Sequence, residues 1–214
     1  VKILELGRIG RTYYIAMELV RGHSMSAVLK KVQAFHQVAP IGVTISLMTE
    51  LCDVLDYVAN FTDEYGEPSP IVHRDLSPSN LLIGDDGHLN VIDFGVAKAM
   101  VRIGVTDAGA GTVKGKIAYM APEQLRAKVV DSRADIFAIG VSLYEATTGE
   151  RPFLGRTEGE LFAARVEGRV PVPSQGFDDY PRELENIVMR AMADDPERRP
   201  LAAELEDELR AFAV

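Results

Sequence analysis

The chain has 214 residues, of which 47% are hydrophobic and 26% are charged. These proportions are typical of a folded globular protein and exclude a disordered or fibrous chain. The formal net charge is −9 and no basic cluster occurs, which argues against binding to nucleic acid or to an anionic membrane. The single cysteine, Cys52, excludes an internal disulfide and a cysteine zinc site, so we expect a reducing, cytoplasmic location.

The chain begins at Val1 rather than Met, which leads us to expect a piece of a longer protein. No uncharged apolar run reaches the ~18 residues that a membrane-spanning helix needs, so we predict no membrane segment within the chain. A membrane anchor outside these residues is left open.

The first half of the chain combines strand and helix patterns. Period-two alternation of apolar residues predicts strands, and apolar residues at helical spacing predict helices. In chain order the predictions are two strands within 1–17 around a Gly7–Gly10 turn, a helix over 24–35 with Ser24 or Ser26 as N-cap, a helix over 44–61 after Pro40 and Gly42, and strands at 71–72, 81–83 and 89–92. An Asp85-Asp86-Gly87 turn is typical of a hairpin between the last two strands.

The second half of the chain is predicted to be helical after one long loop. Residues 96–120 lack a long apolar run, and loops of this length tend to be functional or disordered. The predicted helices are 135–148, 158–166, 182–193 and 201–212. The first of these is apolar on every face, which predicts a helix buried on all sides.

Three short strings in the middle of the chain point to a function. They are His73-Arg74-Asp75-Leu76-Ser77-Pro78-Ser79-Asn80, Asp93-Phe94-Gly95 and Ala121-Pro122-Glu123. Each string alone is uninformative, but together, in this order and on predicted loops, they resemble the catalytic domain of a eukaryotic-type serine/threonine protein kinase of bacterial character. The resemblance covers essentially the whole chain.

The resemblance implies the fold class. We expect an α+β fold that consists of the mainly helical large lobe of a protein kinase with the last strands of its small lobe. The implied division of this partial kinase domain, 1–214, is 1–17 for the last small-lobe strands, 18–23 for the hinge and 24–214 for the large lobe.

The resemblance also implies the reaction, which is transfer of the γ-phosphate of ATP to Ser or Thr hydroxyls of a protein substrate. Asp75 would orient the acceptor hydroxyl and take its proton. Asn80 and Asp93 would hold Mg²⁺, which prefers hard oxygen ligands. The physical requirement is mainly positioning and neutralisation of phosphate charge.

The nucleotide site is implied by the same resemblance. Backbone groups of the hinge, the carbonyl of Glu18 and the amide of Val20, would contact adenine. Met17 would lie at the back of the pocket and Leu82 on its floor, while Asp93 would reach the phosphates through the metal. An ordinary strand end is the alternative for the hinge residues.

The loop residues His73 and Arg74 have other implied roles. His73 is expected to be structural and to pack beside Phe94. Arg74 is expected to bind a phosphate on the long loop, where Thr106 and Thr112 are the candidate acceptors of a regulatory phosphate.

One departure from the family pattern concerns the nucleotide lobe. The chain has no Gly-rich loop, no strand lysine for the phosphates and no partner glutamate, and Lys2 lies so close to the hinge that we expect it on the surface. We therefore expect the 214-residue chain alone to be inactive and to need a missing N-terminal kinase lobe as its partner.

A second departure lies in the catalytic loop. Ser77 stands where the family usually has lysine, and Lys116 stands where it usually has threonine, two positions whose side chains touch in the family. We predict that Lys116 takes the catalytic place of the missing lysine, with its ammonium within about 4 Å of the Asp75 carboxylate or one water away. The alternative is a solvated loop lysine.

Two other functions are compatible with the chain. A pseudokinase, a binding or scaffolding module with little chemistry, is favoured by Ser77 and the absent lobe but opposed by Asp75, Asn80 and Asp93. A small-molecule phosphotransferase of related fold is disfavoured by the Ala121-Pro122-Glu123 string and by Asp135.

Overall fold

Two small antiparallel sheets and a mainly helical body make up the computed structural model, which describes residues 1–10, 12–94, 116–155, 157–167 and 170–213. The strands are β1 (Ile3–Ile9), β2 (Thr12–Met17), β3 (Gly22–Ser24), β4 (Leu81–Gly84) and β5 (Leu89–Val91). The helices are α1 (Met25–Ala34), α2 (Ile41–Ala59), α3 (Pro122–Leu125), α4 (Arg133–Thr148), α5 (Glu158–Glu167), α6 (Arg182–Ala191) and α7 (Ala202–Phe212). Among these described segments, no helix is both long and apolar enough to cross a membrane.

The N-terminal hairpin confirms the two predicted strands. β1 and β2 pair antiparallel from Ile3 opposite Met17 to Ile9 opposite Thr12. Gly10 is at the turn with a φ of 62°, a left-handed conformation that glycine adopts without a steric cost. Gly7 was predicted to be in the turn but lies within β1.

The second sheet has the order β3-β4-β5 and differs from the prediction at one edge. The expected strand at 71–72 was wrong, since both residues are described and neither is in a strand. The third strand is instead β3, which pairs Gly22 with Gly84 and Ser24 with Leu82. A side chain at residue 22 would lie 2.0 Å from the Ile83 carbonyl oxygen, so the pairing requires glycine there.

The first two helices occur as predicted but with different starts. Ser24, not Ser26, caps α1, because its hydroxyl accepts the amide of Ala27 at 3.2 Å. α2 begins at Ile41, three residues before the predicted start, since Pro40 occupies the N-cap position, where its missing N–H costs no helical hydrogen bond. α2 then packs against α4 and α7.

Helix α4 is the centre of the helical body and is buried on all sides as predicted. Every residue from Ala134 to Thr148 is buried, and α4 packs against both α2 and α6. It begins at Arg133 and ends at Gly149, whose φ of 76° gives the left-handed C-terminal cap. Any element that bonds to α4 is therefore attached to a helix that is buried from Ala134 to Thr148.

A buried ion pair joins the start of α3 to the loop before α7. The two terminal nitrogens of Arg199 donate to the Glu123 carboxylate oxygens at 2.7 and 2.9 Å. Its remaining donors reach the backbone carbonyls of Arg133, Ala193 and Asp194. Because all five N–H groups of Arg199 are used, neither charge of the pair is left without a partner in the interior.

Replacing Arg199 by leucine should destabilise the fold by about 3–5 kcal/mol, because Glu123 would remain as an uncompensated buried charge. Arg198→Leu is the matched control, since Arg198 is adjacent and exposed and should change stability by no more than about 0.5 kcal/mol. Urea unfolding measures both variants. Equal losses of stability in the two would contradict the structural role of the pair.

Candidate active site

The backbone of the 73–80 loop is held by a carboxylate on α4. The two carboxylate oxygens of Asp135 accept the backbone amides of His73 at 2.7 Å and of Arg74 at 2.9 Å. Burial raises the pKa of the Asp135 carboxyl, and the two amide hydrogen bonds oppose that rise. The first two residues of the loop are thus fixed to α4. The sequence predicted Asp135 at the start of a helix but did not predict these two contacts.

The His73 ring organises the next contacts, and the predicted structural role is confirmed. Its Nδ1 accepts the amide of Asp75 at 3.3 Å, so Nε2 carries the proton and donates to the Ile92 carbonyl at 3.0 Å. The ring is fully buried and lies 4.8 Å from the Phe94 ring between centroids. His73 therefore links the 73–80 loop to the residues after β5.

Two residues of the site have left-handed backbone conformations. Arg74 has a φ of 63° and Asp93 a φ of 62°. Such a conformation costs a residue other than glycine roughly 1–2 kcal/mol, and strained positions of this kind concentrate at functional sites. Two hydrogen bonds hold the strained backbone of Arg74 in place. Its amide donates to Asp135, and its carbonyl accepts Nε2 of Gln124 at 2.8 Å.

Asp75 and Asn80 face one another across the 73–80 loop. The Asn80 amide nitrogen donates to the Asp75 carbonyl at 2.9 Å, which orients the Asn80 side chain. The Asn80 carbonyl in turn accepts the Ile92 amide at 3.0 Å. Asn80 is buried, whereas the Asp75 side chain is 22% exposed and so accessible to a substrate.

Asn80 and Asp93 lie at the same end of the β4–β5 hairpin. Asn80 immediately precedes β4, Asp93 follows β5, and Leu81 pairs with Val91 between them. The Asn80 amide nitrogen is bonded to the loop, which leaves its oxygen as a ligand, and the Asp93 carboxylate is exposed. One carboxamide and one carboxylate oxygen fit Mg²⁺, which usually completes its shell with water and substrate phosphates. Within the described residues, no group of three or more His, Cys, Asp or Glu could form a different metal site.

Two of the predicted nucleotide residues, Met17 and Asp93, line one cavity. Met17 lines it together with Ile15, Asp93 and Phe94, so the end of β2 faces the residues after β5. Leu82 is half-buried in β4, between Ser24 and Asn90. Of the described backbone groups, none is hydrogen bonded to the carbonyl of Glu18 or the amide of Val20. Lys2 is exposed as expected.

Lys116 lies against Asp75, and the predicted contact is confirmed. Its ammonium forms an ion pair with Oδ2 of Asp75, and the two side chains are 25% and 22% exposed. Ser77 is 2% exposed and its hydroxyl is hydrogen bonded to the Ser79 hydroxyl at 2.7 Å. The charge beside Asp75 thus comes from outside the 73–80 loop.

The segment that follows Lys116 is attached to α4. Tyr119, in a 3₁₀ turn over Ile117–Tyr119, donates its hydroxyl to the buried Glu145 carboxylate, which also accepts Nε of Arg151 at 2.9 Å. Burial and the Glu145 charge raise the pKa of Tyr119, so its hydroxyl keeps the proton that it donates. Sequence reasoning missed this cluster and the Gln124–Arg74 contact, because no local pattern marks either.

Of the three residues with a predicted regulatory role, the structure describes only Arg74. Arg74 lies at the start of the 73–80 loop, with its backbone held on both sides. Thr106 and Thr112 are outside the described residues, and so is Gly95 of the Asp93-Phe94-Gly95 string.

Comparison with protein families matches residues 1–208 to the protein kinase domain. Because this match spans almost the whole chain and agrees with the loop geometry and α+β architecture, the chain belongs to the protein kinase family. The expected fold class is thereby confirmed.

The relatives that match include curated bacterial kinases. The chain is 43% identical over 213 residues to the tyrosine-protein kinase MasK of Myxococcus xanthus (strain DK1622), covering 99% of this chain and 33% of that protein. It is 33% identical over 199 residues to the serine/threonine-protein kinase PknB of Mycolicibacterium smegmatis, covering 92% and 30%. It is 29% identical over 204 residues to the serine/threonine-protein kinase PrkC of Bacillus subtilis, and this match covers 95% of this chain and 29% of that protein. The chain thus spans about a third of the length of these relatives, and the expected bacterial character is confirmed.

Replacing Asp135 by asparagine should destabilise the protein by about 1–3 kcal/mol, because the amide NH₂ would face one of two backbone N–H donors and leave it unsatisfied. Asp179→Asn makes the same chemical change at an exposed position and is the control. Hydrogen exchange should show faster exchange at the amides of His73 and Arg74 in the Asp135 variant. Unchanged exchange at both amides would contradict the anchoring role.

Proposed function

We propose that the protein transfers the γ-phosphate of ATP to Ser and Thr hydroxyls of protein substrates. The observation that carries the proposal is the convergence of Asp75, Asn80 and Asp93 around one hairpin end in a member of the protein kinase family. This arrangement supports phosphoryl transfer because that reaction depends mainly on positioning and on stabilisation of phosphate charge.

Asp75 is proposed as the residue that orients the acceptor. Its carboxylate accepts the hydroxyl proton while the hydroxyl oxygen forms a bond to the γ-phosphorus. The bond from that phosphorus to the β,γ-bridging oxygen breaks, and ADP leaves with the electron pair. The amide hydrogen bond from Asp75 to His73 holds the backbone at this position.

Asn80 and Asp93 are proposed as the protein ligands of Mg²⁺. Once bound, the metal would neutralise charge on the β- and γ-phosphate oxygens. Contacts of the chain would fix both ligands, and so the position of those oxygens. Asn80 is hydrogen bonded to Asp75, and Asp93 directly precedes Phe94, whose ring packs against His73.

Adenine is proposed to bind beside the end of β2. The Glu18 carbonyl and Val20 amide would serve as its hydrogen-bonding groups, with Met17 and Leu82 on the apolar faces. Met17 supports this placement because it lines the cavity that also reaches Asp93.

The organisation of the whole protein is part of the proposal. Residues 1–17 would complete a small lobe, 18–23 would be the hinge and 24–214 the large lobe, with the remaining N-terminal lobe needed for activity. The exposed apolar residues of β1, Leu4, Leu6 and Ile9, are consistent with such a partner. We place the domain in the cytoplasm, and we propose that Arg74 binds a phosphate on Thr106 or Thr112.

Two observations favour other functions. A relative at 43% identity is named a tyrosine-protein kinase, which makes tyrosine the second candidate acceptor. Ser77 in place of the usual lysine favours a pseudokinase, whereas Asp75 with its accessible carboxylate opposes it. The two experiments below separate these possibilities.

In the full-length protein, Asp75→Asn should lower kcat by about 10²–10⁴-fold and leave the KM for ATP nearly unchanged, because Asp75 acts on the acceptor and not on the nucleotide. Asp85→Asn is the control, since Asp85 is exposed in the β4–β5 turn. Initial rates with a protein acceptor measure the effect. A wild-type protein that binds ATP but transfers no phosphate would identify a pseudokinase.

The acceptor class can be tested with three peptides that differ only in carrying Ser, Thr or Tyr at one position. We expect Ser and Thr to be preferred over Tyr by at least about tenfold in kcat/KM. Phosphoamino-acid analysis of the labelled products measures this. A preference for the Tyr peptide would keep the kinase assignment and replace its acceptor class.

A further inference from the structure

The ion pair between Lys116 and Asp75 is a contact that the proposed function leaves unexplained. The Lys116 ammonium occupies Oδ2 of Asp75, and among the described residues no other side chain bonds to this carboxylate. Both side chains are about three-quarters buried, so this is not a fully solvated surface pair. Oδ1 of Asp75 is left for an acceptor hydroxyl.

The position of Lys116 is fixed by its neighbours in the chain. Directly after it, the 3₁₀ turn ends at Tyr119, which is bonded to the buried Glu145 on α4. Gln124 ties the same segment to the Arg74 carbonyl at 2.8 Å, one residue before Asp75. Lys116 therefore extends from a segment attached at two points, and its ammonium is directed at Asp75 rather than free to sample solvent.

The part of the 73–80 loop that follows Asp75 has no basic group that could do the same. The segment Asp75–Asn80 contains neither Lys nor Arg. At the most suitable position Ser77 is buried, and its short side chain is bonded to Ser79. The cation that pairs with Asp75 is instead supplied by a different segment, through Lys116.

We propose that Lys116 is a catalytic residue that binds the transferring γ-phosphoryl group while it holds Asp75. This inference rests on the proposed kinase function. An ammonium has three N–H donors, so one on Asp75 leaves two for phosphate oxygens. Charge on the equatorial oxygens in the transition state is stabilised by a cation already in place, and no reorganisation is needed at the moment of transfer.

Lys116 keeps its proton throughout the step. The acceptor proton goes to the Asp75 carboxylate, the acceptor oxygen bonds to the γ-phosphorus, and ADP leaves with the electrons of the broken bond. Because one N–H of the ammonium contacts Asp75 and the other two contact the phosphate, Lys116 also aligns the base with the phosphoryl group. The competing interpretation is a brake, in which the ammonium blocks Asp75 and must leave before reaction.

The test uses the full-length protein and compares Lys116→Met with Lys128→Met, an exposed lysine twelve residues further along. Lys116→Met should lower kcat by about 10²–10³-fold with little change in the KM for ATP or in Tm, and Lys128→Met should change none of these. The double variant Lys116→Met with Asp75→Asn should lower kcat by less than the product of the two single-variant fold losses, because the effects of residues that act together are not additive.

The exchange Ser77→Lys with Lys116→Thr returns a lysine to the loop and is the rescue variant. It should recover at least about tenfold in kcat over Lys116→Met, and it also covers the case in which the methionine variant folds poorly. Normal turnover in a folded Lys116→Met protein, while Asp75→Asn remains impaired, would overturn this inference and leave the kinase function intact. Faster turnover would establish the brake instead. A wild-type protein without transfer activity would overturn both proposals.

Discussion

The buried carboxylate of Asp135 is the contact on which the geometry of the site depends. It accepts the amides of His73 and Arg74 from a helix that has no solvent-exposed face. With those two amides fixed, the His73 ring is placed to accept the Asp75 amide and to donate to Ile92. A backbone that would otherwise relax from its left-handed φ at Arg74 is thereby kept in the strained conformation.

The same helix also supports the opposite side of the site. Glu145 on α4 holds Tyr119, and the first residue of α4, Arg133, gives its carbonyl to the Arg199 that neutralises Glu123. The loop that carries Asp75 and the segment that carries Lys116 are therefore both hydrogen bonded to the buried helix α4. The distance between Asp75 and Lys116 is well defined because each of them is positioned by contacts to α4 as well as by their own ion pair.

Local patterns in the sequence were sufficient to predict most of the helices and one contact of the candidate site. Periodicity predicted the fully buried α4, and the departure from the family pattern at Ser77 predicted the contact between Lys116 and Asp75. What failed involved contacts distant in sequence or competing signals. β3 exists because Gly22 allows close approach to Ile83, far along the chain. α2 begins at Ile41 rather than at the predicted residue 44, because Pro40 serves as its N-cap. The two amides on Asp135 bridge about sixty residues, and no window of sequence contains both partners.

The Lys116–Asp75 pair shows why a motif is best judged by the position of its charges in space. By sequence order Ser77 looks like the loss of a required cation, which favours an inactive protein. The structure places an ammonium on Asp75 from a segment about forty residues later, while the Ser77 hydroxyl turns to Ser79. Electrostatic stabilisation depends on distance and environment and not on which segment carries the group. A missing residue in a motif is therefore an argument against activity only after the surrounding space has been searched for a replacement.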